Sequence, residues 1–198
     1  YFAIYDRYFA RFRRKRVTFL EIGLGYGGSL QLWRRYLGPS AHIVGIDIRP
    51  ECRGYGARNT TIEIGSQDDP AFLEEVARRH GPFDVIIDDG SHRFEHQLVT
   101  FRSLFGHIRD GGIYACEDLC TSYWPEEYEG GRGKPGTFAE FLKSLVDETN
   151  GWFSQDEDPA VPPSARRLAA LHFHPALALV ERRATPQPVV LHLGRIDL

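Results

Sequence analysis

The feature that most constrains the fold of this chain is an alternation between two kinds of apolar pattern. Short apolar runs with the length of a buried strand are followed by longer segments whose apolar residues recur every three or four positions, as on one face of a helix. The predicted strands of this alternation are residues 17–22, 42–48, 60–64, 83–87 and 112–116. Strands that are regularly followed by helices predict a parallel sheet with helices on both faces.

Start signals and apolar spacing define the helices. Ser29 is placed to cap the helix after the first strand, and Asp69, followed by Pro70, is placed to cap the helix after the third. Apolar residues at helical spacing predict further helices over residues 94–108 and 138–146. The spacing of aromatic residues also predicts an amino-terminal helix within residues 1–16.

The carboxyl-terminal part has a different pattern. Residues 168–173 and 176–181 are predicted to form an antiparallel hairpin that turns at His174-Pro175, and residues 184–198 are predicted to be a tail. A length of 198 residues favours a single domain. The predicted fold is therefore α/β: a doubly wound, Rossmann-like and mostly parallel sheet of seven strands with a carboxyl-terminal antiparallel hairpin.

Composition excludes several classes of protein. The formal net charge of −3 does not call for nucleic acid or an anionic membrane as a partner. No apolar run approaches the roughly 20 residues that span a bilayer, and the aromatic and then basic amino end is unlike a signal peptide. The three cysteines (Cys52, Cys116 and Cys120) are an odd number without paired spacing, which argues against a disulfide framework. We therefore expect a cytoplasmic protein.

The first predicted strand runs into a glycine-rich turn that is typical of nucleotide sites. Gly23, Gly25 and Gly27 alternate there, and Glu21 stands two residues before the first glycine. Glycines allow backbone to approach a ligand closely, and the following helix directs its amino end at that ligand. Taken alone, the turn is equally compatible with a tight strand-to-helix connection.

Acidic and polar residues at the next strand ends strengthen the nucleotide interpretation. Asp47 ends the second strand, about 20 residues further on, where an acid hydrogen-bonds ribose hydroxyls. Asp68 follows the third strand and could either meet an adenine amino group or compete with Asp69 for the helix cap. We also expect contacts with the cofactor from three residues near the same edge, Ser29, Gln67 and Asp88. These features suit a nicotinamide cofactor or S-adenosylmethionine, but the alternating glycines resemble the first motif of class I methyltransferases.

Two pairs of acids follow the fourth and fifth strands, which are predicted to be neighbours. Asp88-Asp89 and Glu117-Asp118 would repel one another if left unpaired, and a divalent cation such as magnesium, calcium or manganese would compensate them. The alternative is a set of helix caps and arginine pairs, for which the sequence offers nearby Arg93, Arg102 and Arg109.

A histidine follows the first acid pair. His92 lies three residues after Asp89, and a histidine in a cleft is a natural general base. His96, about one helical turn further on, is the rival for that role. Both could also be structural residues.

The strings IDDGSH, which ends at His92, and EDLCTSYW, which begins at Glu117, resemble those of the metal-dependent sugar O-methyltransferases of macrolide biosynthesis, the mycinamicin type. The resemblance extends over about residues 18–181. It implies an S-adenosylmethionine cofactor and a magnesium ion held by Asp89, Glu117 and Asp118, with His92 as the base.

The predicted activity is therefore methyl transfer from S-adenosylmethionine to a hydroxyl of a small molecule, a sugar of a natural product. Tyr123 and Trp124 begin a glycine-rich loop to Gly136 that could close over this acceptor, although they could equally anchor a packed loop. The alternatives are a nicotinamide-dependent oxidoreductase and a non-catalytic S-adenosylmethionine-binding module. Homo-oligomerisation is compatible with all three.

Overall fold

A seven-stranded sheet forms the centre of the computed structural model, which describes residues 1–154, 161 and 163–189. Its strands are β1 (Thr18–Ile22), β2 (His42–Asp47), β3 (Thr60–Ile64), β4 (Phe83–Asp88), β5 (Ile108–Cys116), β6 (Leu168–His174) and β7 (Leu177–Arg182). They lie side by side in the order β3-β2-β1-β4-β5-β7-β6. The first five are parallel, and β7 pairs antiparallel with both β5 and β6. The predicted α/β fold with its carboxyl-terminal hairpin is confirmed.

The described helices are α1 (Phe2–Phe9), α2 (Gly28–Leu37), α3 (Pro70–His80), α4 (Phe94–Leu104), α5 (Pro125–Tyr128) and α6 (Phe138–Thr149). Short 3-10 turns are formed by Ala10–Phe12, Pro50–Tyr55, Phe105–His107, Leu119–Tyr123, Gly151–Phe153 and Ser164–Arg166. None of the helices in the described part of the chain is both long and apolar enough to cross a bilayer.

Helices cover both faces of the sheet because successive strand residues point to opposite sides. In β4, Ile86 packs into a buried cluster with apolar residues of α3, α4 and α6. Its neighbours Val85 and Ile87 pack into a second cluster with α1 and α2. The strand order reverses between β1 and β4, and ligands bind in such sheets beyond the carboxyl ends of the strands at this reversal.

Of the two predicted helix caps, the one at Asp69 is confirmed and the one at Ser29 is wrong. Asp69 caps α3 as expected, because its carboxylate accepts hydrogen bonds from the backbone N–H groups of Ala71 and Phe72. Ser29 does not cap α2, which begins one residue earlier, at Gly28, after Gly27 in a left-handed conformation. Ser29 is therefore inside the first turn of the helix.

The predicted boundary between a helix at 94–108 and a strand at 112–116 was wrong, because the helix ends earlier and the strand begins earlier than predicted. Helix α4 ends at Leu104, and β5 begins at Ile108, which pairs with Phe83. The intervening 3-10 turn keeps a near-helical spacing of apolar residues, so the sequence pattern continues past the true end of the helix.

The hairpin turn lies one residue later than predicted. His174 is still in β6, and Pro175 with Ala176, whose φ is +59°, makes the connection to β7. Residues 184–189 of the predicted tail form no regular element, although Thr185 donates its backbone N–H to the Arg166 carbonyl at 2.9 Å. The rest of the predicted tail, residues 190–198, lies outside the described residues.

Candidate cofactor and metal site

The glycine-rich turn after β1 lies directly against the end of β4. Gly23 has a φ of +85°, and a Cβ built on it would lie 2.0 Å from the backbone oxygen of Asp89. Only glycine fits at this position without moving the neighbouring backbone. The close approach brings the predicted cofactor turn into contact with Asp89, the first predicted metal ligand.

A cavity of about 490 Å³ opens beyond this turn. Six of the predicted cofactor and catalytic residues line it together: Gly23, Gly25, Ser29, Asp47, Gln67 and His92. Asp89 lines it as well. Gly27 lies outside this lining, where it precedes α2.

Asp47 is held by hydrogen bonds on both of its carboxylate oxygens. It accepts the backbone N–H groups of Leu24 and Arg49, each at 2.9 Å, and the Arg49 guanidinium at 3.1 Å. Burial alone raises the pKa of Asp47, but the hydrogen bonds from Arg49 and Leu24 lower it below its usual value. The sequence reasoning missed Arg49. Its position two residues after Asp47, the expected ribose-binding acid, could have indicated the contact.

Gln67 and Asp88 form the floor below the cavity. The Gln67 amide donates to Asp88 Oδ1 at 3.0 Å and accepts the backbone N–H of Ser91 at 2.6 Å. Asp88, which is 1% exposed, also accepts the Tyr114 hydroxyl at 2.8 Å, and its burial raises its pKa. Gln67 lines the cavity, whereas Asp88 lies behind it and supports the polypeptide around Asp89.

Asp68 and His96 pair with each other at the rim. His96 Nε2 lies 3.5 Å from an Asp68 carboxylate oxygen, and its Nδ1 lies 2.9 Å from the Ser91 hydroxyl. His96 lines the large cavity, while Asp68 does not. His96 therefore lies on the cofactor side of the site rather than among the metal-binding candidates.

Asp89, His92 and Asp118 converge at the ends of β4 and β5. A carboxylate oxygen of each acid and an imidazole nitrogen all lie within 4.8 Å of one another, a spacing that could hold a metal ion. His92 Nε2 is 3.7 Å from Asp118 Oδ2, and the buried Nδ1 has no hydrogen-bond partner among the described residues. His92 and Asp118 both have positive φ, +59° and +48°, which is uncommon outside glycine and concentrates at functional sites.

The acid cluster carries an unfavourable concentration of negative charge. Burial, together with the charges of Glu117 and Asp118, raises the pKa of Asp89 to about 8. The arginines that could have paired with these acids have other partners: Arg93 with Glu95, Arg102 with the Phe141 ring, and Arg109 with Asp84. In the described part of the chain, no arginine or lysine forms an ion pair with Asp89, Glu117 or Asp118. Their charge is therefore left to be relieved by protonation or by a bound cation.

Glu117 points toward α1 and lies outside the three-residue convergence. Its Oε1 accepts a short hydrogen bond from the Tyr5 hydroxyl, and the Tyr1 hydroxyl donates to Asp118 Oδ1 at 3.0 Å. Burial raises the pKa of Glu117. The sequence reasoning treated the aromatic residues of α1 only as helix markers, and no sequence signal connected their hydroxyls with the acids.

A second cavity, of about 360 Å³, lies on the other side of Asp89. It shares Ser29 and Asp89 with the larger cavity, and it is lined by Glu21, Trp33 and Tyr5 among others. Glu21 is 2% exposed and accepts the Trp33 indole N–H on Oε1 at 3.0 Å, while no described residue bonds to its buried Oε2. Burial raises the pKa of Glu21 to about 7.

The expected acceptor residues lie at the exposed end of the mostly buried 3-10 turn Leu119–Tyr123, where Tyr123 is the last residue of the turn and Trp124 follows it. Tyr123 and Trp124 are each nearly half exposed, and the Trp124 ring contacts Tyr128 edge-on at 5.9 Å. This turn is tied to the base candidate, because the Thr121 hydroxyl donates to the His92 carbonyl at 2.8 Å. Cys120, to which we assign no chemistry, is a free thiol in the same turn.

Comparison with known proteins places this geometry in context. The sequence is 41% identical to 8-demethyl-8-alpha-L-rhamnosyl tetracenomycin-C 2'-O-methyltransferase of Streptomyces olivaceus over 193 residues, 93% of this chain and 50% of that protein. It is 39% identical over 194 residues to mycinamicin VI 2''-O-methyltransferase of Micromonospora griseorubida, covering 90% of this chain and 47% of that protein.

The fold agrees with a solved relative. The structure of MycE methyltransferase from the mycinamycin biosynthetic pathway in complex with Mg, SAH and mycinamycin VI superposes with a TM-score of 0.86 and 34% identity, over 98% of this chain and 52% of that chain. The chain thus spans about half the length of the relatives it matches. Residues 20–119, which contain the glycine turn, Asp47 and the whole β4 to β5 acid region, match the methyltransferase domain family, and the chain is a member of that family.

Proposed function

We propose that this chain catalyses metal-dependent transfer of a methyl group from S-adenosylmethionine to a hydroxyl on the sugar of a natural-product glycoside. The observation that carries the proposal is the position of Asp89. It lines both cavities and belongs to the Asp89, His92 and Asp118 convergence, so a ligand in the cavities and a cation in the acids would share one residue.

The two cavities fit the two ends of the cofactor. The larger one carries Asp47, whose carboxylate suits ribose hydroxyls, and it lies at the amino end of α2. The smaller one carries the unpaired Oε2 of Glu21, which would complement the ammonium group of the methionine moiety. Ser29 and Asp89, which line both, would flank the sulfonium between them.

The donor set fits a hard divalent cation. Carboxylate oxygens favour magnesium over softer metals, and the acids lack a cationic side-chain partner among the described residues. Asp89 and Asp118 would hold the ion, and Glu117 would join them through the oxygen that Tyr5 leaves free. A bound magnesium ion supplies Lewis-acid activation of an acceptor hydroxyl.

His92 is placed to accept the proton of that hydroxyl. Its Nε2 lies 3.7 Å from Asp118 Oδ2, beside the proposed cation site, and its backbone carbonyl accepts the Thr121 hydroxyl. His96 is engaged with Asp68 and Ser91 on the cofactor side, which makes it the weaker candidate. The exposed rings of Tyr123 and Trp124 would offer flat surfaces for the sugar, since aromatic rings pair an apolar face with a polar edge.

The acceptor class follows from the relatives. Two similar enzymes are named for methylating sugar hydroxyls of tetracenomycin and mycinamicin glycosides, and the MycE complex holds mycinamycin VI. We infer that this chain takes an acceptor of the same chemical class, a sugar hydroxyl of a natural-product glycoside.

The test is methyl transfer by the purified chain from S-adenosylmethionine to a rhamnosylated tetracenomycin or to mycinamicin VI, detected as a mass increase of one methylene. The corresponding aglycones serve as matched controls that lack the sugar. EDTA should abolish turnover and magnesium should restore it, and calorimetry should show binding of SAH but not of NADH. Full turnover in EDTA, or binding of NADH in place of SAH, would contradict the proposal.

A further inference from the structure

Tyr5 of α1 and Tyr1, the residue just before this helix, reach the two consecutive acids at the end of β5. Tyr1 and Tyr5 are four positions apart, one helical turn, so their side chains lie on the same side of the helix. The Tyr1 hydroxyl donates to Asp118 and the Tyr5 hydroxyl donates to Glu117. Tyr1 and Asp118 are 117 positions apart in the sequence, and Tyr5 and Glu117 are 112 positions apart. These contacts therefore form only when α1 packs against the end of β5.

Tyr5 is rigidly held, whereas the acid that it contacts is not otherwise fixed. The Tyr5 ring is 4% exposed, stacks on Phe9 at 5.3 Å and meets Trp33 edge-on at 5.2 Å. Trp33 in turn donates to Glu21, so the same aromatic group contacts two acids of the smaller cavity. Glu117 has no arginine or lysine partner among the described residues.

Charge repulsion would move Glu117 away from its neighbours in the absence of Tyr5. Glu117 and Asp89 line the same small cavity, and their charges act on one another. A carboxylate offers about four acceptor positions, so a hydroxyl on Oε1 leaves Oε2 available. The Tyr5 hydrogen bond thus opposes the repulsion and keeps Glu117 beside Asp89 before any cation is present.

We propose that Tyr5 is a positioning residue of the metal site: its hydroxyl holds Glu117 beside the convergence of Asp89, His92 and Asp118, from which the second carboxylate oxygen of that acid can turn to the cation. Tyr1 does the same, more weakly, for Asp118, because Tyr1 is 40% exposed and its hydroxyl also lies 3.2 Å from the Ala176 carbonyl. This inference rests on the proposed function, since it concerns the cation that function requires.

The test is manganese binding by the whole chain, followed by electron paramagnetic resonance of free Mn²⁺, without cofactor or acceptor. Tyr5→Phe keeps the packed ring and removes only the hydroxyl. We expect it to weaken Mn²⁺ binding about 10- to 100-fold, the usual effect of losing a hydrogen bond to a metal ligand. Tyr8→Phe is the matched control, because Tyr8 lies on the same helix and loses a hydroxyl contact to His174 at 3.2 Å instead. It should bind Mn²⁺ as the unmodified chain does.

The same substitution made in a second variant distinguishes the positioning of Glu117 from the packing of α1. In a Glu117→Gln chain, Tyr5→Phe should change Mn²⁺ affinity by less than about twofold, because the hydroxyl has no charged ligand left to orient. If Tyr5→Phe fails to give a cooperative melt, Tyr1→Phe at the exposed position provides the measurement, with an expected loss of several-fold.

Three outcomes would overturn the inference. Unchanged affinity in Tyr5→Phe, while the unmodified chain binds Mn²⁺, would reject the role of Tyr5 alone. Equal losses in Tyr5→Phe and Tyr8→Phe would assign the effect to docking of α1 rather than to Glu117. Absence of Mn²⁺ binding by the unmodified chain would reject both this inference and the metal requirement of the proposed function.

Discussion

The two halves of the ligand-binding edge differ in how their polar groups are satisfied. At the ends of β1 to β3, Asp47 has hydrogen bonds to both carboxylate oxygens, and the Gln67 amide bonds on both of its ends. At the ends of β4 and β5, Asp89 and Asp118 face one another without a cationic side chain, and His92 keeps a buried nitrogen unpaired within the described chain.

The cofactor half, at the ends of β1 to β3, is therefore a preformed pocket, whereas the acid half, at the ends of β4 and β5, is incomplete. Groups that are hydrogen-bonded to the protein hold their geometry without a ligand, whereas clustered like charges are stable only when protonated or when a cation joins them. We therefore expect the cofactor half to be ordered in the absence of any ligand, and the acid half to depend on pH and metal.

The largest effect should come from the glycine that joins the halves. Gly23→Ala combines a strained positive φ, about 1–2 kcal/mol, with a Cβ that overlaps the Asp89 backbone, which adds about 1–3 kcal/mol. The free energy of unfolding, measured by urea titration, should fall by the sum of these, and both cofactor and metal binding should be lost. Gly25→Ala is the control, because Gly25 has positive φ but no atom within 4 Å of its built Cβ. Equal losses in the two variants would show that the contact between the halves is unimportant.

The next effect concerns the incomplete half. His92→Ala should lower the methyl-transfer rate by about 10²- to 10⁴-fold, the usual contribution of a positioned general base. Because His92 also lies within metal-binding distance of Asp89 and Asp118, Mn²⁺ affinity must be measured on the same sample. Unchanged affinity with a lost rate identifies a base. A parallel loss of affinity would identify a metal ligand and contradict the assigned role. His96→Ala, on the cofactor side, is the matched control and should retain the rate within about tenfold.

A smaller effect is expected in the preformed half. Asp47→Ala should weaken S-adenosylmethionine binding by about 10- to 150-fold, since a hydrogen bond to a charged group contributes about 1.5–3 kcal/mol. Mn²⁺ binding should not change. Asp84→Ala is the control, because Asp84 also accepts a backbone N–H, that of Thr18 at 2.7 Å, but lies at the opposite edge of the sheet. Calorimetry should measure the affinity for the cofactor. If Asp47→Ala leaves that affinity unchanged, Asp47 does not bind the cofactor.

In both halves the sequence predicted which strand-end residues meet better than it predicted the partners of those residues, and the reason is physical. Strand ends of a parallel sheet meet at one edge, so Gly23, Asp47 and Asp89 could be placed together from their strands alone. The contact of Tyr5 with Glu117 depends on how separate elements pack and has no local pattern, whereas Arg49 lies only two residues after Asp47. The boundary of β5 was missed for the opposite reason, because the 3-10 turn of Phe105–His107 imitates continued helical spacing.

The smallest effect, and the most direct measure of the difference between the halves, is the pH dependence of stability without metal. Burial and neighbouring charge raise the pKa of Asp89 to about 8, and burial raises that of Glu21 to about 7, both far above their usual values near 4. The folded chain therefore binds these protons more tightly than the unfolded chain does, so the free energy of unfolding must decrease as pH rises. The decrease begins above the unfolded pKa values, near pH 4 to 5, and is complete once pH passes the folded value of Asp89, about 8.

Thermal melts in EDTA should accordingly show a lower midpoint at about pH 8.5 than at about pH 6, with each kcal/mol lost lowering it by about 2–4 °C. Magnesium should raise the midpoint most at the higher pH, where Asp89 is ionised and can bind it, and least at the lower pH, where a proton competes. In Asp89→Asn, which has no ionisable group at that position, the pH dependence should shrink to the part contributed by the other buried carboxyls, Glu21, Asp88 and Glu117, and the magnesium effect should disappear. A midpoint in EDTA that rises with pH, or a magnesium effect that is larger at about pH 6, would mean that the acid cluster is stable as a set of charges and needs no cation.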